Sequence, residues 1–149
     1  MKSFIVLLSL PFLACHNGMG GTETPQDEYP EIEAVVSEFI AGGDEQSVSR
    51  LEQVLHPTFR VLINQFMGGP DVTILDRDTY LNMINSGDIG GDPRTSEVLS
   101  TEVVGNLAFM RAKVRNSQIQ FNTLYTLVLD PGGKWWLASE APFVSPIAG

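Results

Sequence analysis

From Tyr29 onward, Tyr29, Ile32, Val35, Val36, Phe39 and Ile40 recur every three or four positions, with Glu31, Glu33 and Glu38 between them. That period puts the apolar residues on one side of a helix, and Asp27, Glu28 and Glu31 suit the positive end of its dipole. Gly42-Gly43 is expected to end it. Asp44 is then placed to cap a second helix, with Val48, Leu51, Val54 and Leu55 on its apolar side. Pro57 closes that helix, because proline disfavours helical geometry at the preceding residue.

Beyond Pro57 the pattern shortens to that of strands. The segment 58–66 is rich in β-branched and aromatic residues, Gly68-Gly69-Pro70 reads as a turn, and 72–75 as a short strand. Asp76 can cap a third helix with Tyr80, Leu81 and Ile84 inward, ending at Gly87. After the glycine-rich "GDIGGDP", four strands are expected at about 94–104, 107–115, 119–129 and 134–143. Gly105-Asn106 and Asp130-Pro131-Gly132-Gly133 form their hairpin turns. Three helices in the first half and an antiparallel meander in the second define an α+β class. At 149 residues and 43% hydrophobic content, the chain suffices for one core.

The first residues lie outside this pattern. Met1-Lys2-Ser3 and the apolar run "FIVLLSLPFL" form a basic start and a stretch too short to span a bilayer, which takes about 20 residues. Residues 1–14 are therefore expected to be a signal peptide. An ordinary cut after Ala14 would set bulky Phe12 at the third position before the cut. Instead "FLAC" resembles the lipobox of bacterial lipoproteins, in which Cys15 would become the lipid-bearing first residue. Cleavage after Gly20, with Gly18 and Gly20 as the small pair, and an unmodified cysteine are the competing readings. Residues 15–25 make an anchor site and a Gly, Thr and Pro-rich tether whose ten residues after Cys15 span about 17 Å, and 26–149 the folded domain. Export by this route predicts a cell-envelope location. It removes one of nine basic residues and none of the eighteen acidic ones, so nucleic acid is not an expected partner.

The order of elements and four segments carry a resemblance. "GGDEQSVSRLEQVLHPTFRV", "GDIGGDPR", "VVGNLAFMRAKV" and "FNTLYTLVLDPGGKWWL" resemble the SnoaL-like and putative lumazine-binding group of the NTF2-like superfamily over residues 29–143. The resemblance implies a highly curved antiparallel sheet folded around three helices, with a cone-shaped apolar cavity. It also implies frequent homodimers through the outer sheet face. It implies no single activity, because enzymes, binders and assembly modules share the fold.

One chemistry known in the superfamily moves a proton with a cone carboxylate while a tyrosine and a protonated acid hold an oxyanion. The resemblance places that base near Ile63, the tyrosine near Val36 and the second acid near Asn122. No Asp or Glu occurs in 58–66 or 107–129, so the usual base is missing and no catalytic residue is assigned. His56, at the family's "HP" position, reads as structural. Glu97, Glu102 and Glu140 are expected to face solvent, since buried charge needs a partner. Arg111, Lys113 and Arg115 share one strand face, opposite Ala108, Met110, Ala112 and Val114. One cysteine and two distant histidines offer no metal site, and nothing calls for a cofactor.

The cone-lining set expected from periodicity and the resemblance is Val36, Phe39, Ile40, Ile63, Tyr80, Ile84, Met110, Asn122 and Trp135, with Trp136 turned outward. The corresponding function is binding of a small apolar ligand, or an interaction module. An isomerase, dehydratase or hydrolase using an unusual acid, such as Glu140 with Asn122 or Tyr125, is the enzymatic alternative. A carboxyl buried in the cone favours the enzyme, an apolar and amide-lined cone favours binding, and a filled cone favours the module.

Replacing Cys15 with alanine is expected to abolish membrane retention, because acyl chains contribute roughly 0.8 kcal/mol per buried methylene and the tether has no basic cluster to substitute. Detergent phase partitioning measures it. A wild-type protein that stays aqueous and begins at Gly21 refutes the anchor.

Overall fold

The computed structural model describes residues 29–147. The expected signal peptide, Cys15 and the tether lie outside them. Helix α1 (Pro30–Asp44) and the short α2 (Val48–Glu52) precede β1 (Leu55–Asn64). A 3-10 turn (Phe66–Gly68), β2 (Val72–Asp76) and α3 (Arg77–Ser86) follow, then β3 (Thr95–Val104), β4 (Leu107–Arg115), β5 (Ile119–Leu129) and β6 (Trp135–Pro146). The six strands form one sheet in the order β2-β1-β6-β5-β4-β3. Only β1 and β6 run parallel. The architecture is α+β, as expected, with a mixed rather than wholly antiparallel sheet.

Several boundaries differ from the sequence expectation, each for a packing reason. Helix α1 runs through Gly42 and Gly43 instead of stopping there. Both glycines are buried: a Cβ on Gly42 would lie 2.9 Å from the Leu51 side chain, and one on Gly43 2.7 Å from the Arg94 guanidinium. They serve close approach rather than chain termination. Asp44 ends α1 and binds Arg94, so it does not cap α2, which starts after Ser47. His56 and Pro57 belong to the beginning of β1, not to a helix end. There the His56 Nδ1 accepts from the Thr58 amide at 3.2 Å and lies 2.7 Å from the Thr58 hydroxyl, a local structural contact. The α3 cap is as expected, with the Thr79 amide donating to Asp76 Oδ1 at 2.8 Å.

Irregularities bend the sheet around the helices. Pairing slips between Val98 and Ser100 in β3, between Leu55 and Arg60 in β1, and between Leu127 and Thr126 against β6. Such bulges increase local twist and curvature. The concave face then buries Ala108, Met110, Ala112 and Val114 from β4 against α1 residues Ile32, Val36, Phe39 and Ile40. The small alanines are as fully buried as their larger neighbours. Four rings, Phe39, Phe59, Tyr80 and Tyr125, occupy the space with centroids 5.5–6.0 Å apart, a spacing at which tilted rings attract.

Candidate functional site

A cavity of about 470 Å³ opens between β1, the end of β6, α3 and the loop that follows α3. Val61 and Ile63 of β1, Leu75 of β2, Phe121 of β5 and Val144 of β6 give it apolar walls, and Tyr80 closes its inner end. The 88–94 loop forms part of the rim. This loop is tied down through α1. Gly91 N–H donates to Gly43 O at 3.0 Å, and Gly90 adopts φ +80° where a Cβ would lie 2.3 Å from that same carbonyl. Arg94 anchors the loop's end: its Nε meets Asp44 Oδ1 at 2.5 Å, its backbone amide Asp44 Oδ2 at 2.9 Å, and its Nη2 Ile40 O at 3.0 Å. Both side chains of this ion pair are largely buried, which strengthens their mutual attraction.

Glu140 lines the cavity and is only 9% exposed. This overturns its expected solvent-facing position. Trp135 and Leu137 point inward, and strict alternation from them would turn Glu140 outward. At Ala138 the strand carries an extra residue: Leu127 faces Leu137 and Thr126 faces Ser139. The inward parity therefore changes, and Glu140, Pro142 and Val144 line the cavity. Tyr125 stands opposite Glu140 on β5.

Burial raises the Glu140 carboxyl to about 7, while the Arg94 charge and a hydrogen bond from Tyr125 pull the other way. Desolvation wins because no ion-pair partner lies beside it among the described residues. Burial also raises Tyr80 and Tyr125 above the ordinary phenol value, so both keep their protons at neutral pH. The site thus offers an acid that changes charge near neutrality, beside neutral hydroxyls, at the end of an apolar chamber.

The expected lining residues divide into three groups. Ile63 and Tyr80 line the cavity. Val36, Phe39, Ile40, Ile84 and Met110 are buried in the packed core behind it, since the ring cluster closes the narrow end. Trp135 is also core, at the far end of β6 from the opening. Asn122 is half-buried on the outer face of β5, because Thr123 and Tyr125 take the inward positions. Trp136 is outward but pinned, its Nε1 donating to Asp130 Oδ2 at 2.8 Å beneath Lys134 Nζ, 3.5 Å from the ring centroid. Of the other acids, Glu97 and Glu102 are exposed as expected. Arg94 and Asp44 lie fifty positions apart with no local pattern linking them, and only the fold joins them.

The raised Glu140 carboxyl has a consequence for stability. Between the ordinary value of 4.5 and about 7, the folded chain holds a proton that the unfolded chain has released. Its contribution is fully present below about pH 4.5 and is lost as the pH rises to about 7, an effect on the order of 3 kcal/mol. Glu140→Gln is expected to remove that loss. The unfolding free energy of the variant minus wild type, measured in urea, should grow across this window and level off above it. Parallel pH curves for the two proteins contradict the burial of a titrating acid.

The sequence pattern of the putative lumazine-binding family matches residues 27–141. No protein of curated function matches the sequence. Among solved structures, an NTF2-like protein of unknown function from Shewanella baltica superposes with a TM-score of 0.67 at 17% identity, covering 78% of this chain and 93% of that one. One from Silicibacter pomeroyi gives 0.66 at 16% identity, covering 77% and 93%. A ketosteroid isomerase-like protein from Erwinia carotovora atroseptica gives 0.60 at 14% identity, covering 80% and 95%. These likenesses establish the fold, and with the match across most of the chain they place it: the protein belongs to the putative lumazine-binding family, built on the NTF2-like fold.

Proposed function

We propose that the domain binds one small, mainly apolar molecule in the cavity between β1, β6 and α3, with Glu140 meeting its polar end. The cavity itself carries this reading: its volume of about 470 Å³ lies within the usual range for small-molecule sites, and few polar groups converge in it. The cone is neither filled throughout nor wholly apolar. Ile63 lines it from β1, half-buried against the core, so Ile63→Trp fills space a ligand needs. Calorimetric titration of neutral apolar compounds should give one site per chain, weakened about tenfold or more in Ile63→Trp, a loss of about 1.4 kcal/mol. Failure of every compound to bind the folded wild type refutes the reading.

The burial of Glu140 favours a second reading, in which the bound molecule exchanges a proton with it. A carboxyl poised near neutrality suits general acid–base work. In this reading an isomerase, dehydratase or hydrolase uses Glu140 with Tyr125, and Asn122, on the other face, takes no part. Conversion of a bound compound by wild type but not by Glu140→Gln supports it; equal conversion by both removes it.

The short apolar start followed by "FLAC" supports export and lipid anchoring at Cys15, in the bacterial cell envelope. On the outer sheet face Phe109, Leu124 and Phe143 are 44%, 58% and 66% exposed and lie on neighbouring strands, which supports a homodimer through that face. Leu124→Asp should convert a dimer to a monomer in sedimentation, and a wild type that sediments as a monomer refutes the dimer.

A further inference from the structure

The charges around the cavity narrow the chemistry of its ligand, a step that rests on the binding reading above. Among the described residues, Glu140 forms no ion pair. Among the described residues, Arg94 is the only cationic side chain lining the cavity, and Asp44 already holds its guanidinium. Asp88 and Asp92 add two carboxyl groups at the loop rim. Three acids therefore face the space against one cation whose charge is answered elsewhere. The walls contribute Phe66, Phe121 and Tyr80, whose ring faces attract cations.

We propose that the cavity takes a molecule with an apolar body and one protonated amine, its ammonium resting against the Glu140 carboxylate. The ammonium supplies the partner that the chain does not give this buried acid, and a lone buried carboxylate is costly. A ligand carboxylate would meet three acids instead. A neutral carbonyl is the competing chemistry, since it accepts a hydrogen bond from Glu140 in its protonated form.

The two chemistries differ in their response to pH. Arg94 and Tyr125 of β5 act on the Glu140 carboxyl, and Glu140 in turn acts on Tyr80 of α3; Asp44 is ion-paired to Arg94, Asp88 and Asp92 line the loop rim, and the β1 residues lining the cavity are Val61 and Ile63. The tyrosines stay protonated, so Glu140 is the inner group that changes charge near neutrality. An ammonium binds the carboxylate, so its binding releases a proton below the Glu140 pKa and tightens as the pH rises. A neutral acceptor binds the acid and weakens over the same range.

Three probes of one shape test this: phenylbutylamine, phenylbutanol and phenylbutanoate, titrated calorimetrically into wild type and Glu140→Gln at about pH 6 and about pH 8. At the higher pH the amine should bind about tenfold tighter than the alcohol and the carboxylate weakest, and at the lower pH the amine should weaken about tenfold. Its heat should vary with buffer ionisation enthalpy, reporting the released proton. In Glu140→Gln, checked for folding by its thermal transition, the amine should fall to the affinity of the alcohol. An alcohol that binds as tightly as the amine at the higher pH, or an amine indifferent to Glu140→Gln, overturns the inference while leaving the binding reading intact. If none of the three binds the wild type, both fall.

Discussion

Strand β6 joins the two halves of the sheet and has to face two different interiors. It pairs with β1 on one side and β5 on the other, so its side chains decide what lies beneath both. In its first part, Trp135 and Leu137 fill a close-packed core. In its second part, Glu140, Pro142 and Val144 bound an open chamber. A regular strand alternating from Trp135 would send Ser139 and Ala141 into that chamber and leave Glu140 in water. The additional residue at Ala138 is the constraint on which the site depends, because it changes which parity of side chain points inward.

The narrow end of the cone illustrates the opposite outcome. Ala108 and Ala112 are small, and from the strand alone they suggest vacant space. Both are nonetheless fully buried, in one core with Phe39, Phe59, Tyr80 and Tyr125, rings from α1, β1, α3 and β5 that pack against one another. Close packing there confines the open volume to the rim between β1, β6 and the 88–94 loop. Tyr80 belongs to both regions: one of the four packed rings, it also forms the cavity's inner wall. The site is therefore backed by a rigid surface, as ligand positioning requires.

Much of the fold was legible in the sequence because periodicity reports which side of an element is wet. The inward sides of α1 and α3, the Asp76 cap, and the hairpin turns at Gly105-Asn106 and 130–133 follow from spacing and turn chemistry alone. The misplaced features share a cause: each is fixed by contacts between distant segments. Gly42-Gly43 looked like a stop signal, but Leu51 and Arg94 use the missing side chains. Asp44 looked like a cap, but its partner lies fifty residues on. Glu140 looked exposed because alternation has no memory of an inserted residue. Two small residues, Ala138 and Ser139, in the middle of an apolar strand were the one local sign that pairing changes there.

The acids of the cavity reside on structurally separate parts. Glu140 is carried by the central strand and cannot move without disturbing the core, whereas Asp88 and Asp92 project from a loop whose backbone is held by Gly91 to Gly43, Asp88 to Met83, Gln46 to Ile89 O, and Arg94 to Asp44 and Ile40. Substitutions at 88 and 92 can thus redraw the entrance, with Gly90 and Gly91 fixed by their backbone, while the inner acid keeps its environment. Entrance and inner acid are thus separable by substitution, and that separation gives an engineer two positions on one short segment in which to look for altered recognition.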